Sequence, residues 1–501
     1  MFNKTNKILN KSLDLAVIGS GFSGLSASSY LAAHGHKVTL YEKNIQCGGR
    51  ARTYENNGFI FDMGPSWYWM PDVFERFYNC FGHTASDFYK LIKLDPGFTI
   101  IFGKDDAIDI PANFQELCSL FESIEEGSAE KLRTFMKEAE HKYSLSMGSL
   151  VFNPGLTIRE YITFDVLKEI FRLQLFSSFK KHVRAFFKNP RLLALIEFPI
   201  LFLGAMPEST PALYSLMNYA GLKQGTLYPM GGFGKVVKAF KTIAEEQGVT
   251  LLLDNEVECF NISSGKIVEV ESRHGKLKTD GVIGAADCHH VENDLLAESE
   301  RSYSNRYWEK RKLAPSALLF FLGINKKIDH LNHHNLFFDE DIDKHANDIH
   351  VAKKWPEKPL FYVCAPSKTD PAVAPDGCEN LFVLMPIASG LKDSPDKREY
   401  YFNLLIERIE NFTGNEIRNH IIEKRSYCIS DFAADYHAYK GNAYGLANTL
   451  YQTAIFKPKM KSKKVDNLFF AGQLTVPGPG VPPAIISGEI AANQLLKYLN
   501  Q

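Results

Sequence analysis

No run of about 18 uninterrupted apolar residues occurs in the sequence, so no segment predicts a membrane-spanning helix. Cysteine is sparse: there are 8, and none forms a C-x-x-C pair. That points away from a zinc site and from a disulfide framework, and it fits a reducing, cytoplasmic compartment. Excess charge is missing as well. Lys+Arg 57 against Asp+Glu 58 leaves a formal net charge of -1, so no bulk field draws nucleic acid to the chain. No internal repeat and no low-complexity tract is seen. Lys4, Lys7 and Lys11 precede an apolar run, but that run reads as a buried strand, and no signal peptide is expected. At 501 residues the chain is too long for one compact core, so two or three domains are expected.

What is present starts with "DLAVIGSGFSGLSASSYLAAHGHKVTLYEKNIQCGGR". Leu13 to Ile18 suits a buried parallel strand. Gly19, Gly21 and Gly24 then form G-x-G-x-x-G. The first glycine permits a tight turn, and the second lets backbone approach a pyrophosphate. The third lets a helix pack closely on the strand. Ser23 to Ala33 is the expected helix, with its N-terminal N–H groups facing phosphate. Lys37 to Tyr41 reads as the next strand. Glu42 at its end is placed to hold a ribose. Together these predict dinucleotide binding, and at this point NAD and FAD both remain open. Gly234-Lys235 invites a phosphate-loop reading that fails, because position 236 is Val and position 229 is Pro.

Beyond the acid, Glu42-Lys43 and Gly48-Gly49-Arg50 spell E-K-x-x-x-x-G-G-R. This resembles the second signature of the flavin two-dinucleotide-binding family, which includes amine oxidases and carotenoid desaturases. The other end of the chain agrees. "NLFFAGQLTVPGPGVPPAIISGEIAANQLL" reads as a strand (Leu468 to Ala471), a Gly/Pro-rich loop and a helix from about Pro483. It is similar to the closing flavin motif of that family. The resemblance implies FAD held by Gly19, Gly21, Phe22, Ser23 and Gly24, by Glu42 and Lys43, and by Gly48, Gly49 and Arg50. It also implies contacts from Val257 through its backbone, from Gly472 and Gln473, and from Val481. Many relatives carry an acid where Gln473 stands.

Motifs at both ends make the flavin domain discontinuous. Residues 1–66, 226–287 and 455–501 are assigned to it. Residues 67–225 and 288–454 are assigned to a substrate domain, with 112–225 a mostly helical, membrane-facing part. The expected class is α/β, a Rossmann-like FAD-binding domain plus an α+β substrate domain. "FTIIFG", "AIDIPA", "SALLFFLGI" and "NLFVLMPIA" suit strands. In "LKEIFRLQLFSSFKKHVRAFFKNPRLLALIEFPILFLGAM", Phe176, Phe179, Val183, Phe186 and Phe187 recur at helical spacing, with Lys180, Arg184 and Lys188 opposite. Seven Lys/Arg and one acid, Glu169, lie between Lys168 and Arg191. Two readings stay open: a helix lying on an anionic membrane, or a core-facing helix with a solvated basic face. His330, His333, His334, His345 and His350 match no zinc or iron spacing, so no metal site is expected. His289-His290 read as packing or loop residues, and Cys47 as a small packing residue.

The segments "FDMGPSWYWMPDVFERF", "LYPMGGFGKVV", "AADCHHVENDLL" and "FYVCAPSKTDPAVAPDGCENLFVLMPIASGL" narrow the resemblance to the bacterial-type phytoene desaturases. It extends from Asp14 to about Tyr498. It implies FAD, the C40 polyene phytoene as substrate, and reoxidation by quinone or oxygen. It also implies peripheral attachment to the inner face of the cytoplasmic membrane. The expected reaction is desaturation toward lycopene by hydride transfer to flavin N5 and loss of a proton. A hydrocarbon needs an apolar tunnel, which the aromatic residues can line, although an aromatic core accounts for much of the aromatic content. Positioning and cofactor chemistry then carry the reaction, and no catalytic triad is expected. Glu160 and Glu197 are carboxylates in apolar surroundings where a raised pKa would serve a base, though each reads first as a surface or paired residue. Open alternatives are another polyene oxidoreductase, saturase or isomerase, an amine oxidase, and a non-enzymatic isoprenoid carrier.

Overall fold

The computed structural model describes residues 12–148, 150–157, 160, 177–202, 204 and 206–501. Its first layer is a five-stranded parallel sheet. The strand order is Leu468–Phe470, Gly281–Gly284, Asp14–Ile18, Lys37–Tyr41 and Thr250–Leu252. These strands are short and mostly apolar, as both faces of a parallel sheet demand. Three distant stretches of chain thus build one sheet. The Phe22–Ala33 helix packs on it, with the 19-residue Val481–Leu499 helix alongside. Their contact is close because Gly488 lacks a side chain: a Cβ there would lie 2.3 Å from Ser23 O. Helix starts are one to two residues earlier than the sequence pattern implies, at Phe22 and Val481. Both follow a glycine rather than a capping side chain.

While Val257–Ser263, Lys266–Ser272 and Gly275–Lys278 form a three-stranded antiparallel sheet of their own, a second, seven-stranded sheet holds both nine-residue strands. Its order is Ile421–Tyr427, Ser316–Ile324, Glu379–Ile387, Phe361–Cys364, His334–Phe337, Phe98–Gly103 and Asp106–Ile110. All its pairings are antiparallel except the one between His334–Phe337 and Phe98–Gly103. Alternate residues of its strands enter different cores. Leu318, Phe320 and Leu322 join Tyr401, Phe402 and Leu405 of the Pro395–Thr413 helix. Leu319 and Phe321 face the larger cluster shared with the nucleotide-binding helix. The Leu91–Lys93 strand pairs with Leu227–Pro229, which ties the two regions together.

The aromatic run after Pro65 goes mainly into packing. Tyr68 stacks on Phe74 at 4.2 Å, and Phe77 on Phe240 at 4.0 Å. The Tyr89 hydroxyl bonds to those of Tyr68 at 3.0 Å and Tyr78 at 2.8 Å, which allows three tyrosines to be buried together. These side chains serve the core, and Trp67 with its neighbours is the part left for a tunnel wall.

The basic stretch resolves in a similar way, although its part before residue 177 lies outside the described residues. In the Phe179–Phe186 helix and the turn after it, Phe179, Val183 and Phe187 are fully buried. Their apolar stripe faces the protein and not a bilayer. Lys181, Arg184 and Lys188 remain exposed, and Lys180 pairs with Glu208. No helix among the described residues is long and apolar enough to cross a membrane.

Candidate flavin and substrate site

The carboxyl ends of the parallel strands are where an open α/β sheet leaves a crevice for a nucleotide. There the chain brings together residues far apart in sequence. Gly19 turns with φ 97, and a Cβ on Gly24 would lie 1.8 Å from Gly19 O, so helix and strand touch through bare backbone. The glycine pair folds back onto this loop: Gly48 N donates to Ser20 O at 2.9 Å. A Cβ on Gly49 would stand 3.2 Å from Gly21 Cα, whereas a Cβ on Gly21 would meet nothing nearer than 4.0 Å. An open slot therefore lies over Gly21, in front of helix N–H groups that no side chain caps. Phe22 and Ser23 begin that helix, and Gly472 lies against Ser23 from the other side.

Glu42 is 5 % exposed and fixed on both oxygens. Ser20 N–H and its hydroxyl donate to Oε2 at 2.9 and 2.7 Å, and Asn44 N–H and amide donate to Oε1, both at 2.9 Å. Asn255 N–H donates to Glu42 O at 2.8 Å, which brings the chain toward Val257 beside the acid. Lys43 departs from the group. Its amine donates to Ala434 O at 2.6 Å and lies 3.3 Å from His437 Nε2, so its side chain ties the acid's strand to the 434–437 segment.

Arg50 and Gln473 meet in the crevice. With its amide oxygen turned to Arg50, Gln473 accepts from Nη2 at 3.0 Å and donates to Ala443 O at 3.2 Å. Buried Asp287, just after the Gly281–Gly284 strand, accepts from His289 N–H at 3.0 Å and Tyr439 N–H at 3.3 Å, and its charge is felt by Arg50. Burial raises the Asp287 pKa, while Arg50 and the backbone N–H groups of Tyr439, His289 and His290 pull it back. In the sequence Asp287 stands only as one residue of the segment "AADCHHVENDLL". Its position at the crevice end of a buried parallel strand was the available signal.

The other residues singled out from sequence lie elsewhere. Glu160 accepts from Leu156 N–H and Thr157 N–H at 3.1 and 2.8 Å, so it closes a local turn. Glu197 is held at 3.6 Å from Arg184, and burial raises its pKa. Both carboxylates are thus paired within their own region. His289 stacks on Tyr439 and His290 on His437, each at 4.0 Å. Cys47 is buried.

The histidines dismissed on spacing do meet a partner. His333, His334 and Cys364 place their ligand atoms within 4.8 Å of one another, all buried. His333 Nδ1 is bound to Thr369 Oγ1 at 2.8 Å and His334 Nδ1 to the Tyr362 hydroxyl at 2.6 Å. Burial lowers the pKa of both rings, to about 3 for His333, so they are neutral. His334 stacks on Trp67 at 4.1 Å, and Trp67 also touches Phe98, Phe198 and Tyr362. This buried aromatic cluster carries imidazoles and the Tyr362 hydroxyl, which also bonds to Ser66 at 2.9 Å, so it mixes aromatic faces with polar atoms.

The residues present fit a flavin dinucleotide: an open glycine slot, an uncapped helix terminus and a buried ribose acid, with an arginine beside them. Comparison with known proteins defines the class. Residues 22–496 match the family described as flavin containing amine oxidoreductase, and the chain belongs to it. It is an FAD-dependent oxidoreductase of the carotenoid desaturase kind. It is 41 % identical to the carotenoid 3,4-desaturase of Haloarcula japonica, over 97 % of this chain and 98 % of that one. It is 30 % identical to the zeta-carotene-forming phytoene desaturase of Myxococcus xanthus, over 97 % and 94 %. An oxidoreductase from Methanosarcina mazei shares the fold at a TM-score of 0.60 and 14 % identity, over 95 % of this chain and 99 % of that one.

Proposed function

We propose that this protein inserts carbon–carbon double bonds into a C40 polyene. The observation that carries the reading is full-length kinship to carotenoid desaturases, with both flavin signatures assembled at one crevice. Bound FAD supplies the two-electron acceptor chemistry. The chain's own part is binding, orientation and exclusion of water. The loop at Gly19–Gly24 and the glycine pair would hold the diphosphate, Glu42 the ribose, and Arg50 with Gln473 the far side of the crevice. Val257 would meet the adenine, and Gly472 and Val481 the ring end. The flavin part comprises 1–66, 226–287 and 455–501, and the polyene part comprises 67–225 and 288–454.

For the substrate within that class, two readings compete. Motif resemblance favours phytoene, carried toward lycopene. The 41 % identity to a 3,4-desaturase, against 30 % to a phytoene desaturase, favours a later carotenoid with a new bond at the 3,4 position. The second is the better supported. Attachment to a membrane surface would be electrostatic, through the exposed basic face, and quinone or oxygen would reoxidise the flavin. Pigments extracted from cells that make phytoene, and from cells that make lycopene, each with this protein added, separate the readings. New double bonds only in the lycopene background support 3,4-desaturation, and conversion of phytoene supports the other. No change in either background refutes both.

A further inference from the structure

Lys457 is 2 % exposed, and its Nζ has no hydrogen-bond partner among the described residues. It lies against the Gly/Pro loop that leads into the closing helix. A Cβ built on Gly478 would stand 3.3 Å from Lys457 Nζ and 3.3 Å from Asn448 Oδ1. Asn448 is 3 % exposed, and its Oδ1 also has no hydrogen-bond partner among the described residues. An unmet donor and an unmet acceptor therefore converge on one spot, beside backbone at φ 140. Folded proteins rarely leave such buried groups unmet, so the pair points to a ligand.

The place of that spot says which ligand. Gly478 belongs to the loop that runs from Gly472, after the last parallel strand, to the N-terminus of the Val481–Leu499 helix, which no side chain caps. Gly472 lies against Ser23 of the phosphate-loop helix, so a dinucleotide with its diphosphate at the Gly19–Gly24 loop would extend past Gly472 toward this loop. The part that would reach it is the end opposite the adenosine, a flat ring edged with donors and acceptors.

We propose that Lys457, with Asn448, faces the isoalloxazine ring of bound FAD, and that its amine takes up the proton released on desaturation. This rests on the function proposed above. Two hydrogens leave adjacent carbons and one π bond forms between them. One leaves with its electron pair, which reduces the flavin. The other leaves as a proton and is bound by the lone pair of the amine. The ammonium then stands beside a ring that has gained negative charge, and each charge stabilises the other.

Electrostatics support the geometry. Burial alone lowers the Lys457 pKa to about 7, so the amine is largely neutral above that pH until a negative charge appears beside it. No neighbouring charge contributes to that shift, although Arg311 reaches the same segment and donates to Phe456 O at 3.5 Å. Burial raises the hydroxyls of Tyr444, to about 12, and of Tyr214, which faces Thr453. Lys459 turns away, donating to Gly155 O and Ile455 O.

The test is the reduction potential of the bound flavin in purified holoenzyme, measured from about pH 7.5 to 9. In the wild type two protons accompany two electrons, so the reduction equilibrium shifts about a hundredfold per pH unit, about 59 mV. Lys457→Met and Lys457→Arg should each show about tenfold per unit, about 30 mV, because neither side chain exchanges a proton in this range. Lys457→Arg should also keep a potential near the wild type's at the low end of the range. Equal slopes in all three proteins would overturn the proposal. If Lys457→Met loses its flavin, the slope of Lys457→Arg decides alone. A two-proton slope that depends on Lys457, in a protein that desaturates no polyene, would keep the lysine at the flavin and overturn both its substrate role and the function above.

Discussion

Two neighbouring glycines in the phosphate loop should fail in opposite ways. Gly21 has φ -68 and ψ 177, which any residue adopts, and its Cβ would meet no protein atom nearer than 4.0 Å. Valine there should leave the apoprotein as stable as the wild type while filling the slot that the diphosphate needs. Gly24 is the reverse. An alanine Cβ at 1.8 Å from Gly19 O forces strand and helix apart, an overpacking cost of about 1–3 kcal/mol or more before any ligand is added. FAD at about a hundredfold over its dissociation constant adds about 2.7 kcal/mol to a protein that binds it only when folded. Unfolding of the apo forms with and without added FAD, alongside flavin stoichiometry, separates the two effects. Gly21→Val should match the apo wild type and gain nothing from FAD, and Gly24→Ala should unfold earlier in both conditions. Stoichiometric flavin in Gly21→Val, or wild-type apo stability in Gly24→Ala, would refute this account of the loop.

Other outcomes follow from the same structure. Replacing Lys180, Lys181, Arg184 and Lys188 with Gln should cut sedimentation with anionic vesicles, at up to about 1 kcal/mol per charge, and leave flavin content unchanged. Because Phe179, Val183 and Phe187 are buried, wild-type sedimentation should also vanish at high salt, and salt-resistant binding would show that another, apolar face inserts. Glu160→Gln and Glu197→Gln should each lower flavin reduction by polyene less than about tenfold, since a true general base contributes about 10²–10⁴-fold. A loss of a hundredfold in either variant, with FAD retained, would name that residue as the base. Burial holds His333 and His345 at about 3, against an ordinary value of 6.5. The unfolded chain therefore takes up these protons first as pH falls. The stability they support is complete above about pH 6.5 and drains away toward pH 3, at no more than about 1.4 kcal/mol per group per unit. Urea midpoints at pH 7 and pH 5 should differ accordingly in the wild type, and by less in His345→Gln.

Local spacing carried most of the nucleotide site. The glycines, Glu42 and the flanking strands lie within one short stretch, where the periods of strand and helix leave little freedom. Surfaces were harder. The Phe179–Phe187 stripe announces an amphipathic helix, but only the tertiary fold shows that its apolar side meets the protein. His333 and His334 matched no metal spacing because Cys364 is thirty residues on, and the antiparallel register that pairs His334 with Cys364 brings them together. Lys457 was invisible for another reason. It opens the run "KPKMKSKK", which reads as solvated charge, and nothing local marks the first lysine as the buried one. Asp287 lay in a recognised segment, yet its approach to the field of Arg50 depends on a sheet built from distant pieces.

The central claim is that a flavin in this crevice takes electrons from a polyene. Purified holoenzyme, mixed anaerobically with carotenoid in vesicles, tests it within one turnover. The visible absorbance of the oxidised flavin should bleach, with one new double bond formed for each flavin reduced. Intact, fully loaded flavin that stays oxidised with both phytoene and lycopene, while a chemical reductant still bleaches it, would contradict the claim.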